Sequence, residues 1–446
     1  MRLGGIWDHV GFGFHRYSTD QEWLLPHFEK MLYDQALLMI AYTEGWQVTK
    51  NELFKQTVYE IAEYVATSLT HEKGAFYSAQ DADSEGEEGK FYVWNEEKIS
   101  NLSELISDDE LTFFTQTFNF EQEGNFEDEA TKQLTGNNIP FLKNPLTQSN
   151  QDLFNQLRPT IFDCREKEIH PITDDKILTD WNALMITALA KAGSIFDDSN
   201  LIDVAVKAYS FISENLFENN HLKHSYKDGD ASIDAFADDY AFFIQASLEL
   251  YEATFDNSYL EKAIELSDTF ISLFEDDTTG GYFLTSSTSE ELLGRQKQIY
   301  DGAIPSSNSV ALINFIKLSR LTGITSYEEK AQKIGKTFST DLIRSGSSIT
   351  SGLQGIQFIH HRPKEVVIVS NKENSLSLLS EMKELFAPFK VMLLKSAQKS
   401  DIERLVPYLK DMQAIDGKTT FYVCSNQSCD KPTTSLSEVI KVLKPY

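Results

Sequence analysis

Three short spacers decide the fold of this 446-residue chain: Gly-Ala-Phe-Tyr-Ser at 74–78, His-Leu-Lys-His-Ser-Tyr at 221–226 and Gly-Gly-Tyr-Phe at 280–283. Each spacer follows a segment whose apolar residues recur every three or four positions, which is the spacing of one helix face. Glycine permits a tight turn after a helix, and aromatic residues favour a brief strand beside the next helix pair. The repeating unit is therefore predicted to be a helical hairpin.

Helical spacing recurs through most of residues 1–350 and predicts about eleven helices. Eight segments carry it over a long run: His27–Trp46, Glu52–Leu69, Leu178–Phe196, Leu201–Phe217, Asp234–Phe255, Tyr259–Phe274, Ser309–Leu321 and Tyr327–Leu342. Three more are Glu96–Ile106, Asp108–Phe118 and Leu146–Glu168. Hairpins bury their apolar faces by stacking, in an open solenoid or a closed ring. The unit length here varies, whereas solenoid repeats keep a period of roughly 33–47 residues, so we expect a closed α/α toroid.

The two ends of the chain depart from this pattern. A further glycine-aromatic loop spans residues 4–14 with no helix before it, so we expect the chain to start one helix into its own repeat. Residues 360–446 alternate predicted strands at 365–370, 390–395 and 419–424 with predicted helices at 375–385, 402–409 and 436–443. Such alternation favours parallel strands joined by crossover helices. We therefore predict a mainly α toroid over 1–359, its first helix apparently missing, and a small α/β segment over 360–446.

Composition limits the partners and the compartment. The chain carries 68 acidic and 40 basic side chains, a formal charge of −28, which disfavours nucleic acids and anionic membranes in the absence of a local basic patch. No such patch is evident in the sequence, and no run of about 18 apolar residues suggests a membrane span. Cys164, Cys424 and Cys429 are too few for a disulfide scaffold. We expect a cytoplasmic protein without a cofactor or metal, and reduced thiols at Cys424 and Cys429, with a redox or metal role as the alternative.

The first group of candidate site residues lies near the start of the chain. It comprises His15, Arg16, Tyr17, His27, Lys30 and Asp34. Positions three and four apart share a helix face, so His27 and Lys30 are expected together, with Lys30 holding Asp34. The alternative is a polar helix end in water with only a surface ion pair.

The second group is the acidic loop that contains Asp81 and Asp83. It is not an EF-hand, because Tyr92 stands at the twelfth position, where a bidentate Glu is needed. The flanking strings 74–78 and 90–94 are expected to pair as a hairpin and present both carboxylates at one mouth. A catalytic or sugar-binding role, an irregular metal site and a solvated turn all remain open.

The third group lies at predicted helix starts in the second half of the chain. It comprises Trp181, Asn182, Asp239, Tyr240 and Asn308. An indole offers a stacking face and an amide offers paired donors and acceptors, as hydroxyl-rich ligands require. Helix capping is the alternative for the polar members of the group.

Several longer strings carry a family resemblance. They are Gly-Gly-Ile-Trp-Asp-His-Val-Gly-Phe-Gly-Phe-His-Arg-Tyr-Ser at 4–18, Pro-His-Phe-Glu-Lys-Met-Leu-Tyr-Asp at 26–34, Phe-Tyr-Ser-Ala-Gln-Asp-Ala-Asp-Ser-Glu-Gly at 76–86, Trp-Asn at 181–182, Asp-Asp-Tyr-Ala at 238–241 and Pro-Ser-Ser-Asn-Ser at 305–309. They resemble a family of thioredoxin-domain proteins that has a spermatogenesis-associated member. The resemblance covers most of the chain, although Phe12 stands where the family usually has glycine.

The resemblance implies a fold similar to the N-acylglucosamine 2-epimerases and the six-hairpin glycosidases, with a pocket at one end of the toroid. It also implies a thioredoxin-like domain that precedes this region in full-length members, so we expect this chain to be a fragment or to have an unusual start. A thioredoxin-like domain is then a possible partner.

Three functions follow as hypotheses. The first is a carbohydrate-active or carbohydrate-binding toroid for a sugar-like small molecule, with catalytic carboxylates among Asp34, Asp81, Asp83 and Asp239. In it, Tyr17 and Trp181 stack on sugar rings while Arg16 and Lys30 bind an anionic substituent. The second is a non-catalytic module that partners a thioredoxin-like domain. The third is a sugar epimerase or isomerase that uses His15 and His27 as acid and base.

Overall fold

The computed structural model describes residues 1–127, 131–289, 294–361, 363–370, 379–396, 401–425 and 428–444. The chain divides into two compact units. Unit 1 contains Met1–Leu38, Lys55–His71 and Phe76–Lys176, and unit 2 contains Met39–Phe54, Glu72–Ala75 and Ile177–Tyr446.

Helices account for most of the regular structure. The helices of the first half are α1 (Leu32–Thr49), α2 (Glu52–Ser68), α3 (Glu96–Ser103), α4 (Asp108–Thr117), α5 (Gln148–Arg165), α6 (Thr179–Phe196) and α7 (Ser199–Asn215). Those that follow are α8 (Ala237–Thr254), α9 (Asn257–Phe274), α10 (Ser307–Thr322), α11 (Thr325–Thr337), α12 (Ser339–Arg344), α13 (Thr350–His360), α14 (Ser380–Glu384), α15 (Ile402–Leu405) and α16 (Leu436–Leu443).

Most of the strands are short. Those of unit 1 are β1 (Tyr17–Ser18), β2 (Pro26–His27), β3 (Lys30–Met31), β4 (Ala79–Gln80), β5 (Asp83–Ser84), β6 (Glu87–Glu88) and β7 (Thr173–Asp174). Those of unit 2 are β8 (Ile177–Leu178), β9 (Phe217–Glu218), β10 (His221–Lys227), β11 (Asp230–Asp234), β12 (Lys364–Ser370), β13 (Lys390–Ser396), β14 (Thr420–Ser425) and β15 (Ser428–Cys429).

Unit 2 is built from helical hairpins in two layers. Helix α6 packs against α7 and α8, α8 packs against α9 and α10, and α10 packs against α11 and α13. Helices α6, α8 and α10 bury residues on every face, whereas α7, α9 and α11 bury one stripe each. A helix that is apolar all round belongs inside, and an amphipathic one covers it. Helices α6, α8 and α10 therefore form the inner layer, and α7, α9 and α11 form the outer layer.

The predicted fold class is confirmed: the chain is mainly α, of the helical-hairpin α/α toroid type, with a small C-terminal α/β segment. The observed helices follow the predicted ones to within a few residues at most ends. The first helix starts later than predicted, at Leu32, because His27 and Lys30 lie in strands β2 and β3. Helix α13 was missed, since its sequence Thr-Ser-Gly-Leu-Gln-Gly carries two glycines. Among the described helices, none is long and apolar enough to cross a bilayer.

The C-terminal segment contains a four-stranded sheet in the order β13-β12-β14-β15. Strands β12 and β13 are parallel, as predicted, but β14 runs antiparallel to β12, so the expectation of purely parallel pairing is wrong. Part of the helix predicted at 375–385 lies outside the described residues, and the structure has α14 at Ser380–Glu384. The domain boundary predicted at 359 falls at the end of α13 and stays a prediction.

The strand register corrects two predictions. Cys424 and Cys429 are directly opposed on β14 and β15 and form a disulfide, so the expectation of reduced thiols is wrong. In the described backbone, the strings 74–78 and 90–94 do not pair with each other. Phe76 bridges to Thr70 instead, and Trp94 bridges to Asn138. Each string closes a turn beside its own neighbours.

Unit 1 depends on a buried ionic group. The Asp8 carboxylate accepts hydrogen bonds from Lys30 Nζ at 2.8 Å and Arg165 Nη1 at 2.9 Å. The rings of Tyr64 and Tyr92 lie 4.6 and 4.7 Å from the Lys30 ammonium. Burial alone would raise the pKa of Asp8, but the two cations hold that pKa well below its usual range. This group fixes the N-terminal glycine-aromatic loop against α5.

Unit 2 has its own ionic group, towards the C-terminal ends of the inner helices. Lys317 Nζ lies 3.3 Å from Glu249 Oε2, and Lys191 pairs with Glu44. Burial raises the pKa of Glu249, but Lys317 and Lys191 outweigh it and lower the pKa overall. The pairing therefore compensates a charge that is removed from water.

Removing one partner should expose this dependence. We expect Lys317→Met to lower the free energy of unfolding by on the order of 3 kcal/mol, because it leaves Glu249 buried with less compensation. The matched control is Arg404→Met, which breaks an exposed pair with Glu261 and should cost less than about 1 kcal/mol. Urea unfolding followed by circular dichroism measures both, and equal losses in the two variants would contradict the assignment.

Candidate functional site in unit 2

Strand pairing brings two polar residues of unit 2 together. Strand β10 pairs antiparallel with β8, with Ser225 opposite Leu178. Helix α6 begins directly after β8, so its first turn carries Asp180 beside β10. His224 is the residue of β10 directly before Ser225, so it lies near the start of α6. A short strand before the helix thus sets the distance between the two side chains.

Asp239, in the first turn of α8, connects both of them. Its Oδ1 accepts the backbone N–H of Asp180 at 3.1 Å, and its Oδ2 accepts the backbone N–H of Phe236 at 2.8 Å. Both carboxylate oxygens lie 3.0 Å from Nδ1 of His224. Carboxylates near a helix N-terminus satisfy backbone N–H groups that have no partner in the helix. One buried carboxylate therefore holds the starts of α6 and α8 and orients the imidazole.

The surroundings shift the proton affinities of the other two groups. Burial beside Asp239 raises the pKa of Asp180 well above its usual range, although the backbone N–H of Trp181 and the charge of His224 oppose the rise. Burial lowers the pKa of His224, but the hydrogen bond and charge of Asp239 outweigh it, so that pKa is raised overall. Burial raises the pKa of Asp239 as well, although the hydrogen bonds from His224, Phe236 and Asp180 oppose that rise. Because Asp239 has more donors than Asp180, Asp180 is the carboxyl group of the two that is favoured to hold a proton.

His224 is the most exposed residue of the group, and Asp180 retains 7% exposure. The side chain of His224 is 20% exposed and that of Asp239 is 1% exposed. The Phe236 ring meets the His224 ring edge to face at 5.2 Å and is itself partly exposed. Trp181 is half-buried in the next position along α6. The imidazole is therefore the main point of access, with the Phe236 ring beside it.

These three residues have the ligand types of a metal site. One ligand atom from each of Asp180, His224 and Asp239 lies within 4.8 Å of the others. Both oxygens of Asp239, however, already accept hydrogen bonds from two backbone N–H groups and the imidazole. A cation bound to Asp239 and Nδ1 would have to replace those hydrogen bonds. The contacts favour proton sharing among the three groups.

Three other residues predicted in this half of the chain, Asn182, Tyr240 and Asn308, form hydrogen bonds with backbone groups. Asn182 is buried and donates through Nδ2 to the Leu178 carbonyl at 2.9 Å. The hydroxyl of Tyr240 accepts the backbone N–H of Leu222 at 3.0 Å. Asn308 accepts from the N–H of Tyr282 and donates to its carbonyl, and it is also buried. Asn182 therefore holds β8, Tyr240 holds β10, and Asn308 holds the 280–283 spacer.

Asp34 and Arg16 lie in unit 1, where the expected pairing of Asp34 with Lys30 is wrong. Lys30 turns inward to Asp8 and to the Phe12 carbonyl instead. Burial raises the pKa of Asp34 to about 7, while the charge of Arg16 opposes the rise. Arg16 itself donates to Glu29 Oε2 at 2.9 Å. Asp34 is consequently a largely buried carboxyl that holds its proton near neutral pH.

The two predicted histidines of unit 1 lie in different environments. His15 is buried, its Nδ1 lies 2.8 Å from the Phe28 carbonyl, and burial lowers its pKa to about 3. This geometry favours a packing role for His15. His27 stacks on Tyr17 at 5.0 Å, and its Nδ1 lies 2.7 Å from Glu88 Oε1. Tyr17, His27 and Glu88 line a cavity of about 260 Å³.

The acidic loop of unit 1 has exposed carboxylates. Asp81 and Asp83 are both exposed, and Asp81 Oδ1 accepts the backbone N–H of Asp83 at 3.2 Å. Asp83 belongs to the two-residue strand β5, which pairs with β6. This arrangement is that of a charged turn in water, so their catalytic role stays a prediction without a supporting contact.

Two residues of the cluster were missed from the sequence. Neither was among the predicted site residues: Asp180 lies at a predicted helix start, where an aspartate ordinarily caps the helix, and His224 lies in the 221–226 spacer. A signal was present for His224: side chains of a strand alternate between faces, so His224 shares its face with the buried Leu222 and Tyr226. The sequence therefore showed a histidine on a buried strand face, followed by a helix whose first turn carries a carboxylate.

The raised pKa of Asp34 gives a prediction for stability. The folded-state pKa of about 7 lies above the ordinary value of 3.8, so protonated Asp34 stabilises the fold at low pH, and this stabilisation is lost as the pH rises towards 7. Between pH 5.5 and 7 the loss should amount to about 2 kcal/mol, at roughly 1.4 kcal/mol per pH unit. Asp34→Asn should remove this loss.

Urea unfolding of unlabelled protein at pH 5.5, 6.25, 7 and 8 measures the effect. Asp83→Asn is the matched control, because Asp83 is an exposed carboxylate of the same unit. Parallel pH profiles for the wild type and Asp34→Asn would contradict the prediction.

Comparison with solved structures finds distant similarities. A sugar epimerase from a ruminal bacterium has a TM-score of 0.43 and 11% identity, covering 75% of this chain and 82% of that one. A GH76 α-mannanase from Bacteroides thetaiotaomicron has a TM-score of 0.40 and 12% identity, covering 75% of each chain. No family model matches this chain.

Comparison with curated proteins finds relatives along the whole chain. Spermatogenesis-associated protein 20 of Homo sapiens is 32% identical over 489 residues, covering all of this chain and 62% of the human protein. An uncharacterized protein of Caenorhabditis elegans is 30% identical over 487 residues, covering all of this chain and 65% of its own length. The chain thus spans about three fifths of the length of these relatives. Over its full length the chain is similar to spermatogenesis-associated protein 20, as its motifs predicted.

Proposed function

We propose that Asp180, His224 and Asp239 form an acid–base site that acts on a sugar-like, polyhydroxylated small molecule. The observation that carries the proposal is that two groups with raised pKa values, Asp180 and His224, meet at one buried carboxylate. Perturbed pKa values caused by burial and a specific charge partner cluster at catalytic sites.

Each residue has a distinct part. Asp239 fixes the imidazole through Nδ1, so a proton on that atom is held and Nε2 is the atom that exchanges protons with a ligand. Asp180 supplies or receives a second proton as a carboxylic acid. Two proton carriers with raised pKa values at one buried carboxylate are suited to general acid–base catalysis.

The contacts favour proton transfer over glycoside hydrolysis. A retaining glycosidase needs two carboxyl groups about 5–5.5 Å apart, one of them free to attack the sugar. The Asp180 and Asp239 oxygens lie within 4.8 Å, and Asp239 is fully engaged as an acceptor. Isomerisation or epimerisation requires only that a proton be removed and returned. The third sequence hypothesis is thus favoured, with His224 and Asp180 in place of His15 and His27.

A sugar-like ligand is supported by the neighbouring rings. Phe236 is partly exposed beside the imidazole, and Trp181 follows Asp180 on α6. Aromatic faces bind the apolar faces of sugar rings, and a carboxylic acid with an imidazole binds hydroxyl groups. We also propose a cytoplasmic location and a thioredoxin-like domain as a partner.

Deuterium incorporation tests the site without requiring the product to be known. The protein is incubated in D2O with a panel of aldoses and ketoses, and ¹H NMR follows loss of the signal from the carbon-bound proton next to the carbonyl group. Wild-type protein should exchange that proton in at least one sugar. Asp180→Asn and His224→Asn should each slow the exchange by at least about 100-fold, the range of a lost general acid or base.

His221→Asn is the matched control, since His221 is an exposed histidine on the same strand. It should leave the exchange rate unchanged. Absence of exchange in every sugar, or equal rates in His224→Asn and His221→Asn, would overturn the proposal. Hydrolysis of nitrophenyl glycosides without exchange would reassign the site to a glycosidase.

A further inference from the structure

The C-terminal α/β segment contains a large cavity whose lining includes none of the residues of the proposed acid–base site. It has a volume of about 740 Å³, which is within the range of small-molecule sites. Its walls are the starts of β12 and β13, the connection before β13 and the end of α16. The residues on which its chemistry depends are His361, Lys364, Phe389, Lys390, Lys441 and Lys444.

The charge of this cavity is opposite to that of the chain. Four of the eleven described lining residues are lysines and none of the eleven is acidic, whereas Lys and Arg together make 40 of 446 residues and the net charge is −28. The lysines come from residues 364, 390, 441 and 444. The absence of a basic patch, as interpreted from the sequence, is therefore corrected here: the patch forms only when distant segments fold together.

The strand register concentrates two of these lysines. Lys364 and Lys390 are the first residues of parallel neighbouring strands and lie directly opposite each other. The Lys390 ammonium, however, donates to the Met382 carbonyl at 2.5 Å and interacts with Glu252 and Glu249, so Lys364 is the strand lysine that can face a ligand. Lysines at the end of α16 are also explained by the helix dipole, but the dipole gives no reason for Lys364.

Aromatic rings provide the rest of the wall. The ring of Phe389 lies 5.0 Å from that of His361 and 5.6 Å from that of Phe358. Phe389 and the neighbouring Phe386 are only partly buried. Planar aromatic ligands stack on such rings, and ammonium groups bind phosphate oxygens as point charges.

We propose that this cavity binds a small phosphate ester that carries a planar ring, of the nucleotide class. Lys364, Lys441 and Lys444 bind the phosphate groups and Phe389 contacts the ring. A small anion of this kind is attracted locally, whereas a long phosphate polymer also meets the acidic remainder of the surface.

Isothermal titration calorimetry with ATP tests the proposal on the full chain, with tripolyphosphate and adenosine as partial probes. ATP should bind in the micromolar range, at least fivefold more tightly than either partial probe, and more weakly as the salt concentration rises. Lys441→Glu/Lys444→Glu should weaken ATP binding at least tenfold. Both lysines are exposed, so the fold should be retained, which the melting temperature checks.

The matched control is Lys410→Glu/Lys418→Glu, which makes the same charge change at exposed lysines outside the cavity lining. It should leave ATP affinity within a factor of two. Equal losses in the two double variants, tripolyphosphate binding as tightly as ATP, or no binding of ATP at millimolar concentration would each overturn the proposal. None of these outcomes depends on sugar exchange.

Discussion

The constraint on which the site of unit 2 depends is that the Asp239 carboxylate has almost no access to water. A buried carboxylate is tolerated only when donors surround it. Those donors are the N–H groups at the starts of α6 and α8 and the imidazole of His224. Satisfying one carboxylate thus fixes two inner helices, one strand and the orientation of a titratable ring, and this same group makes Asp180 a proton-holding acid.

Unit 1 uses the same physical solution for a different result. Asp8 is buried and forms ion pairs with Lys30 and Arg165, so these two cations have a structural role. In unit 2 the partner is a histidine, whose charge can change near neutral pH. Two buried aspartates with similar exposure therefore have different consequences: a permanent ion pair in unit 1 and a proton-exchanging group in unit 2. The chemistry of the partner, more than burial itself, separates structure from function.

The helices were predictable because helical periodicity is a local property, and eleven predicted segments correspond to observed helices. Asp239 and Trp181 were predictable as polar or aromatic residues at helix starts. Asp180 and His224 were not identified, because their proximity depends on the pairing of β8 with β10, which no local pattern specifies. The disulfide and the lysine-lined cavity were missed for the same reason: Cys424 meets Cys429 across a strand pair, and Lys364 meets Lys390 across another.

The most direct measurement of the central claim is the titration of His224 by NMR with isotopically labelled histidine, assigned by comparison with the His224→Asn spectrum. The Asp239 carboxylate predicts a His224 pKa above 6.5 and, at high pH, a neutral imidazole that keeps its proton on Nδ1. A pKa at or below 6.5, with the neutral form protonated on Nε2, would show that Asp239 does not hold the ring and would contradict the acid–base assignment.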